Sequence, residues 1–196
     1  MSERSTHILS LAGGFESVWT NRFAGKVRNQ CRAAERRGVE IRVGKGAADF
    51  EAYYPIYMAS VSRWGRDATS YPLGLFRALA KLAGKGVELK LAMVEGRVVG
   101  GVLLLHGRRN TLYWGSAMLK EYSRYSPMNA VLRSAIEEAC EKRMEWFDFG
   151  ASDKLDSVRT FKESFGALPR SYKNYALTTP RCRAIMQLRK ALAAVV

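Results

Sequence analysis

Residues 88–117 read ELKLAMVEGRVVGGVLLLHGRRNTLYWGSA. The apolar positions recur with a period of two, and Glu95-Gly96 and the run Gly107–Asn110 are turn signals. The stretch predicts consecutive antiparallel strands at Glu88–Val94, Arg97–Leu105 and Thr111–Ala117. This meander is the centre of the fold. Downstream, Ser126-Pro127 predicts a helix start, serine at the N-cap and proline in the first turn. Met128, Val131, Leu132, Ala135, Ile136, Ala139 and Cys140 follow at helical spacing as its buried stripe. Glu145–Phe149 reads as the next strand. Ser157–Phe165 reads as a short helix stopped by Gly166 and Pro169. A last strand, Ser171–Leu177, and a basic amphipathic helix, Pro180–Val195, complete that side.

Upstream of the meander, Tyr71-Pro72 opens a helix running to about Ala83. Residues 47–65 form another helical segment, rich in Tyr53, Tyr54, Tyr57 and Trp64, in which Pro55 is expected to mark a break or the start of the longer piece. Their helical spacing favours packing over base stacking. Val39–Val43 alternates as a strand. Residues 21–38 predict a helix with Val27, Cys31 and Ala34 inward and Arg28, Arg32 and Arg36 on an outer stripe. Residues 1–20 read as a lead-in with a short strand at Ile8–Leu11, so the domain is expected over 21–196. The order predicts an α/β (α+β) fold, a central, mostly antiparallel mixed sheet flanked by helices.

A chain of 196 residues accommodates one such domain, and its net charge of +14 favours a polyanionic partner. The cations cluster. Between Arg22 and Arg42 they face only Glu35 and Glu40, and no acid follows Glu163. Cys31, Cys140 and Cys182 lack metal-ligand spacing, and Cys31 and Cys140 sit on apolar helix faces as core thiols. With only His7 and His106, neither a histidine triad nor a metal site is indicated. No stretch is apolar enough to span a bilayer, and a cytoplasmic location is expected.

Four segments in order carry a resemblance. They are Lys26-Val27-Arg28-Asn29-Gln30-Cys31-Arg32 with Arg37-Gly38-Val39; Tyr113-Trp114-Gly115-Ser116-Ala117; Ser126-Pro127-Met128-Asn129; and Phe147-Asp148-Phe149-Gly150 with Phe161-Lys162 and Phe165-Gly166. The chain resembles the acetyltransferase-like fold of the GNAT superfamily. More closely, it resembles the FemAB/FemX family of peptidoglycan interpeptide-bridge aminoacyltransferases, matching the second of that family's two tandem domains. The resemblance implies transfer of an aminoacyl group from aminoacyl-tRNA, rather than any DNA partner, to a small peptide or amine acceptor. No cofactor beyond that co-substrate is implied.

On this resemblance, Lys162 stabilises the developing oxyanion or the leaving ribose oxygen, and Phe161 stacks on the terminal adenine. On the residues alone, a surface lysine beside two core phenylalanines is the commoner arrangement. Arg28 and Arg32 are candidate substrate clamps, against the alternative of a solvated helix face. Tyr113, Trp114, Ser116, Phe149 and Gly150 are candidate acceptor-cleft residues. Alternation puts Tyr113 and Trp114 on opposite faces, so at most one is expected to line a cleft directly. Asp148 is a general base, a cleft carboxylate that binds the incoming ammonium, or a loop-capping aspartate. Arg181 and Arg183 are candidate tRNA contacts, or touch an anionic membrane.

The acetyl-CoA or acyl-CoA alternative requires a glycine-rich pyrophosphate cradle at the start of the central helix. That place reads Tyr122-Ser123-Arg124-Tyr125-Ser126-Pro127-Met128, without glycine. A non-catalytic RNA-binding module is the alternative of another class.

Overall fold

The computed structural model describes residues 2–64, 70–151, 156–175, 179 and 182. In chain order the elements are β1 (Ser2–Ser10), α1 (Gly14–Asn21), α2 (Gly25–Arg36), β2 (Glu40–Gly44), α3 (Ala47–Trp64) and α4 (Leu73–Ala80). There follow β3 (Val87–Val94), β4 (Arg97–His106), β5 (Asn110–Met118), a 3-10 turn (Lys120–Tyr125), α5 (Pro127–Glu141), β6 (Trp146–Asp148), α6 (Asp156–Ser164) and β7 (Leu168–Asn174).

The meander forms as its alternation predicts. Glu95 and Gly96 both take positive φ, 51° and 73°, the conformation a two-residue hairpin needs. The strands join a seven-stranded sheet of order β2-β3-β4-β5-β6-β1-β7. The pairs are antiparallel except β5 with β6. β3 and β4 are buried on both faces because helices cover both.

On one face Leu104, Ala92 and Val102 pack with α1, α2 and α5 through Val18, Val27, Ala34 and Leu132. On the other, Leu89, Leu91 and Leu103 pack with α3 and α4 through Phe50, Tyr53 and Phe76. Each of these buried aromatics contributes on the order of 2–3 kcal/mol of burial.

Two expectations are revised. The segment expected as a lead-in supplies β1, which pairs with β6 through Ile8–Ser10 and with β7 along Ser2–Ile8. It also supplies α1. Pro55 does not break α3. The face Tyr53, Ile56 and Tyr57 is buried against the sheet, and that packing outweighs the missing backbone bond, a cost of about 3 kcal/mol. The aromatic set is indeed packing: Tyr53, Tyr54 and Tyr57 gather around Phe76, while the side chain of Trp64 lies outside the described residues. Arg181 and Arg183, and all of the expected helix Pro180–Val195 except Cys182, also fall outside them.

Candidate active site

The parallel pairing of β5 and β6 runs from Asn110↔Trp146 to Leu112↔Asp148 and stops. Past that point a cleft of ≈ 570 Å³ opens between Tyr113–Ser116 on one side and Phe149–Ala151 on the other. The start of α5 (Ser126–Asn129), Gln30 of α2, and Ser157, Val158, Phe161 and Lys162 of α6 close it. Antiparallel neighbours on both outer sides hold β5 and β6, so the opening is set by the sheet.

Tyr113 and Trp114 both line this cleft, contrary to the expectation for alternating neighbours. They do pack on opposite layers, Tyr113 with the α5 side and Trp114 with the α3 side. The cleft lies at a strand edge, where both faces are reached. The register also slips here: Leu104 pairs with Tyr113 and Leu103 with Gly115, leaving Trp114 as a bulge. The extra residue resets the phase, so Tyr113 and Ser116, three apart, share a face. The Tyr113 hydroxyl and Ser116 Oγ are hydrogen-bonded. Burial pushes the Tyr113 phenol up, so it stays protonated at neutral pH. Trp114 stacks at 4.8 Å on Tyr71.

Lys162 is 3% exposed, which removes the surface-lysine reading. Its Nζ donates to the carbonyl oxygens of Gly150 (2.9 Å) and Ala151 (2.7 Å). An ammonium buried in an otherwise amphipathic helix is costly unless such partners hold it. Phe161 lines the same wall and meets Phe165 edge-on at 5.2 Å. Gly150 takes φ +70°, and a Cβ there would lie 3.6 Å from the Tyr113 carbonyl oxygen.

Asp148 does not line the cleft among the described residues. Phe147 and Phe149 point into the α5-side core, so alternation turns Asp148 to the other face. There it accepts hydrogen bonds from Thr6 Oγ1 (2.5 Å) and the Gly150 N–H (2.8 Å). Its observed role is loop capping.

Arg28 and Arg32 are also placed away from the cleft. Arg28 donates to the carbonyl oxygens of Trp19, Thr20 and Phe23, at 3.2, 3.0 and 2.6 Å. These are acceptors that the end of α1 leaves unpaired. Arg32 lies 5.6 Å from the Trp19 ring centroid. The α2 residue facing the cleft is instead Gln30. Its Oε1 accepts from Nδ2 of the buried Asn129 at 3.2 Å. Asn129 stood in a quoted motif without a role; a polar residue in the first turn of an apolar helix was the available signal. Nothing in the sequence singled out Gln30.

The N-terminus of α5 offers little to a pyrophosphate. Pro127 has no N–H. The N–H of Ser126 donates to Ser123, and those of Asn129 and Ala130 to the Ser126 carbonyl. Ser126 takes φ 55° and its side chain makes no cap bond.

A second charged group lies on the α5 side of β3 and β4, near His106 and Thr111. Glu88 meets Lys90 (3.3 Å), Lys142 (2.8 Å) and His106 (3.2 Å), and Lys142 also meets Glu138 (2.5 Å). Burial pushes the Glu88 carboxyl up, but hydrogen bonds from His106 and Lys142 and the charge of Lys90 outweigh it and hold it well below the carboxylate range. Among the described residues no group of His, Cys, Asp and Glu is arranged to hold a metal ion, and no helix is long and apolar enough to cross a membrane.

A family model described as an acetyltransferase (GNAT) domain matches residues 21–163. Among solved structures, FemX superposes with TM-score 0.74 at 13% identity, over 94% of this chain and 63% of that one. L-PGS from Bacillus licheniformis superposes with TM-score 0.64 at 14% identity, over 87% and 59%. An aminoglycoside acetyltransferase from an uncultured soil metagenomic sample, in complex with sisomicin, superposes with TM-score 0.56 at 16% identity, over 72% and 97%. The chain thus spans less than two thirds of FemX and L-PGS, and at these identities the likeness is one of fold. No curated protein matches the chain.

Proposed function

The chain belongs to the GNAT acetyltransferase domain family, an acyltransferase fold, and from that premise we propose that it moves an aminoacyl group from aminoacyl-tRNA to an amine acceptor, forming an amide. The observation that carries this reading is the buried Lys162 ammonium, fixed in the wall of a cleft whose described lining contains no Asp, Glu or His. An ammonium held at a fixed position in the cleft wall suits an ester carbonyl whose oxygen gains charge as the amine attacks.

The acceptor nitrogen bonds to the carbonyl carbon and the bond to the ribose oxygen breaks. The amine gives up one proton and the ribose oxygen takes one. The hydrogen-bonded Tyr113 and Ser116 hydroxyls are the groups in the cleft suited to passing that proton. Lys162 keeps the Gly150–Ala151 loop in place and supplies the field. Trp114, Phe149 and Phe161 give the acyl chain apolar surface.

The occupied N–H groups at the start of α5 favour this donor over an acyl-CoA. The deciding experiment is incubation with a pool of charged tRNAs and a panel of amines. Amide product that disappears after RNase treatment of the donor is expected. Turnover only with acyl-CoA, or no turnover with either donor while RNA still binds, overturns the proposal.

A further inference from the structure

Beside the cleft, a second hollow of ≈ 690 Å³ lies along α2, and the two share Gln30 and Ser126. Lys26, Asn29, Arg36 and Arg37 line it, with no carboxylate among the described lining residues. Glu35, on the same helix, is turned away and paired with Arg133. Arg37 donates to the Arg124 carbonyl and so ties the 3-10 turn to α2. Lys26 and Arg36 are exposed and make no hydrogen bond or ion pair among the described residues. Positions 26, 29, 30, 33, 36 and 37 follow one another at helical spacing, so the hollow runs along a single helix face. From Lys26 to Arg36 that face is roughly 15 Å long at 1.5 Å per residue. A face of that length spans several consecutive phosphates of one strand.

We propose that this face of α2 seats backbone phosphates of the donor's acceptor stem and thereby aims its 3′ end into the adjoining cleft. The proposal rests on the aminoacyl-tRNA reading. A run of phosphodiesters fits better than one compact diphosphate, because the unpaired cations stand at opposite ends of the face and polar Asn29 and Gln30 lie between them. Favourable placement of cations in a last helical turn accounts for Arg36 but not for Lys26, in the first.

The test measures binding of a labelled RNA microhelix with a single-stranded 3′ extension, over a range of salt, to the wild type, K26A/R36A and K81A/K85A. Lys81 and Lys85 are exposed beside α4, on the opposite side of the sheet, so the control removes the same charge. All three are side-chain truncations at exposed positions, and thermal melts verify folding. K26A/R36A is expected to bind about tenfold more weakly, with a salt slope shallower by about 2, while the control stays within about twofold of wild type. Equal loss in both pairs means general charge attraction and overturns the proposed phosphate seat. No loss in K26A/R36A, with RNase-sensitive turnover intact, overturns the phosphate seat and leaves the aminoacyl-tRNA reading standing. Weakened coenzyme A binding with unchanged RNA binding overturns both.

Discussion

Lys162 donates to the Gly150 carbonyl at 2.9 Å, so a cation on α6 fastens the loop that leaves β6. The same ammonium is the cleft's only described formal charge. Lys162→Met keeps the length of the side chain and removes that charge. It is expected to lower kcat/KM by at least about 100-fold and to cost about 1–3 kcal/mol in urea unfolding, because two carbonyls lose their donor. Stability loss with kcat/KM intact would leave Lys162 as a fastener without a part in the chemistry.

On the proposed reaction, with no carboxylate or imidazole among the described lining residues, the acceptor is expected to arrive as free amine. The rate is therefore expected to rise with pH along a limb set by the acceptor's own pKa. Acceptors of lower amine pKa should shift that limb downward by the same interval. A limb fixed at one pH for every acceptor would reveal a titrating base on the protein. Tyr113, whose phenol burial pushes up, should leave no limb below its ordinary value of about 10.

The Glu88 cluster is a stability element. Its carboxyl is held low, so the stabilisation it contributes is fully present above the unfolded-state pKa and is lost as pH falls below about 4. Glu88→Gln leaves the buried Lys90 with Glu138 as its remaining described carboxylate partner. The variant is expected to lose about 1–3 kcal/mol at pH 7. The gap to wild type should narrow in unfolding measured below pH 4. A gap independent of pH would show that shape, rather than charge, holds this corner.

Burial pushes the Cys31 and Cys140 thiols up to about 11. At pH 8 they carry little thiolate, whereas Cys182 is exposed. A thiol reagent is expected to label one equivalent quickly and the other two on unfolding. A raised thiol contributes stability that is intact below about pH 9 and lost as pH rises toward 11. Cys31→Ala should therefore show a flatter alkaline decline than wild type. Three fast equivalents in the folded protein would contradict the burial.

The meander and α5 were legible because each carries a long periodic signal that burial on two faces, or along one stripe, enforces. The cleft was legible only in part. Lys162, Phe161, Tyr113, Ser116 and Gly150 do converge, but through motif likeness, since a lone lysine in a short helix has no periodic signature. Arg28 and Arg32 looked like an outer stripe because helical spacing says which residues share a side and not what lies there. Their partners belong to α1, in a segment whose irregular pattern hid its helix. Lead-in strand β1 was missed along most of its length for the same reason. The slip at Trp114 depends on how β4 pairs with β5, a relation between strands that neither segment encodes alone.

That slip has a consequence for how the chain tolerates change. Deleting Trp114 would close the bulge. Gly115 would then follow Tyr113 directly and Ser116, two positions on, would keep to the tyrosine's face, while the ring that stacks on Tyr71 would be lost. The surplus residue therefore adds a side chain to the cleft wall and leaves the alternation on either side of it intact.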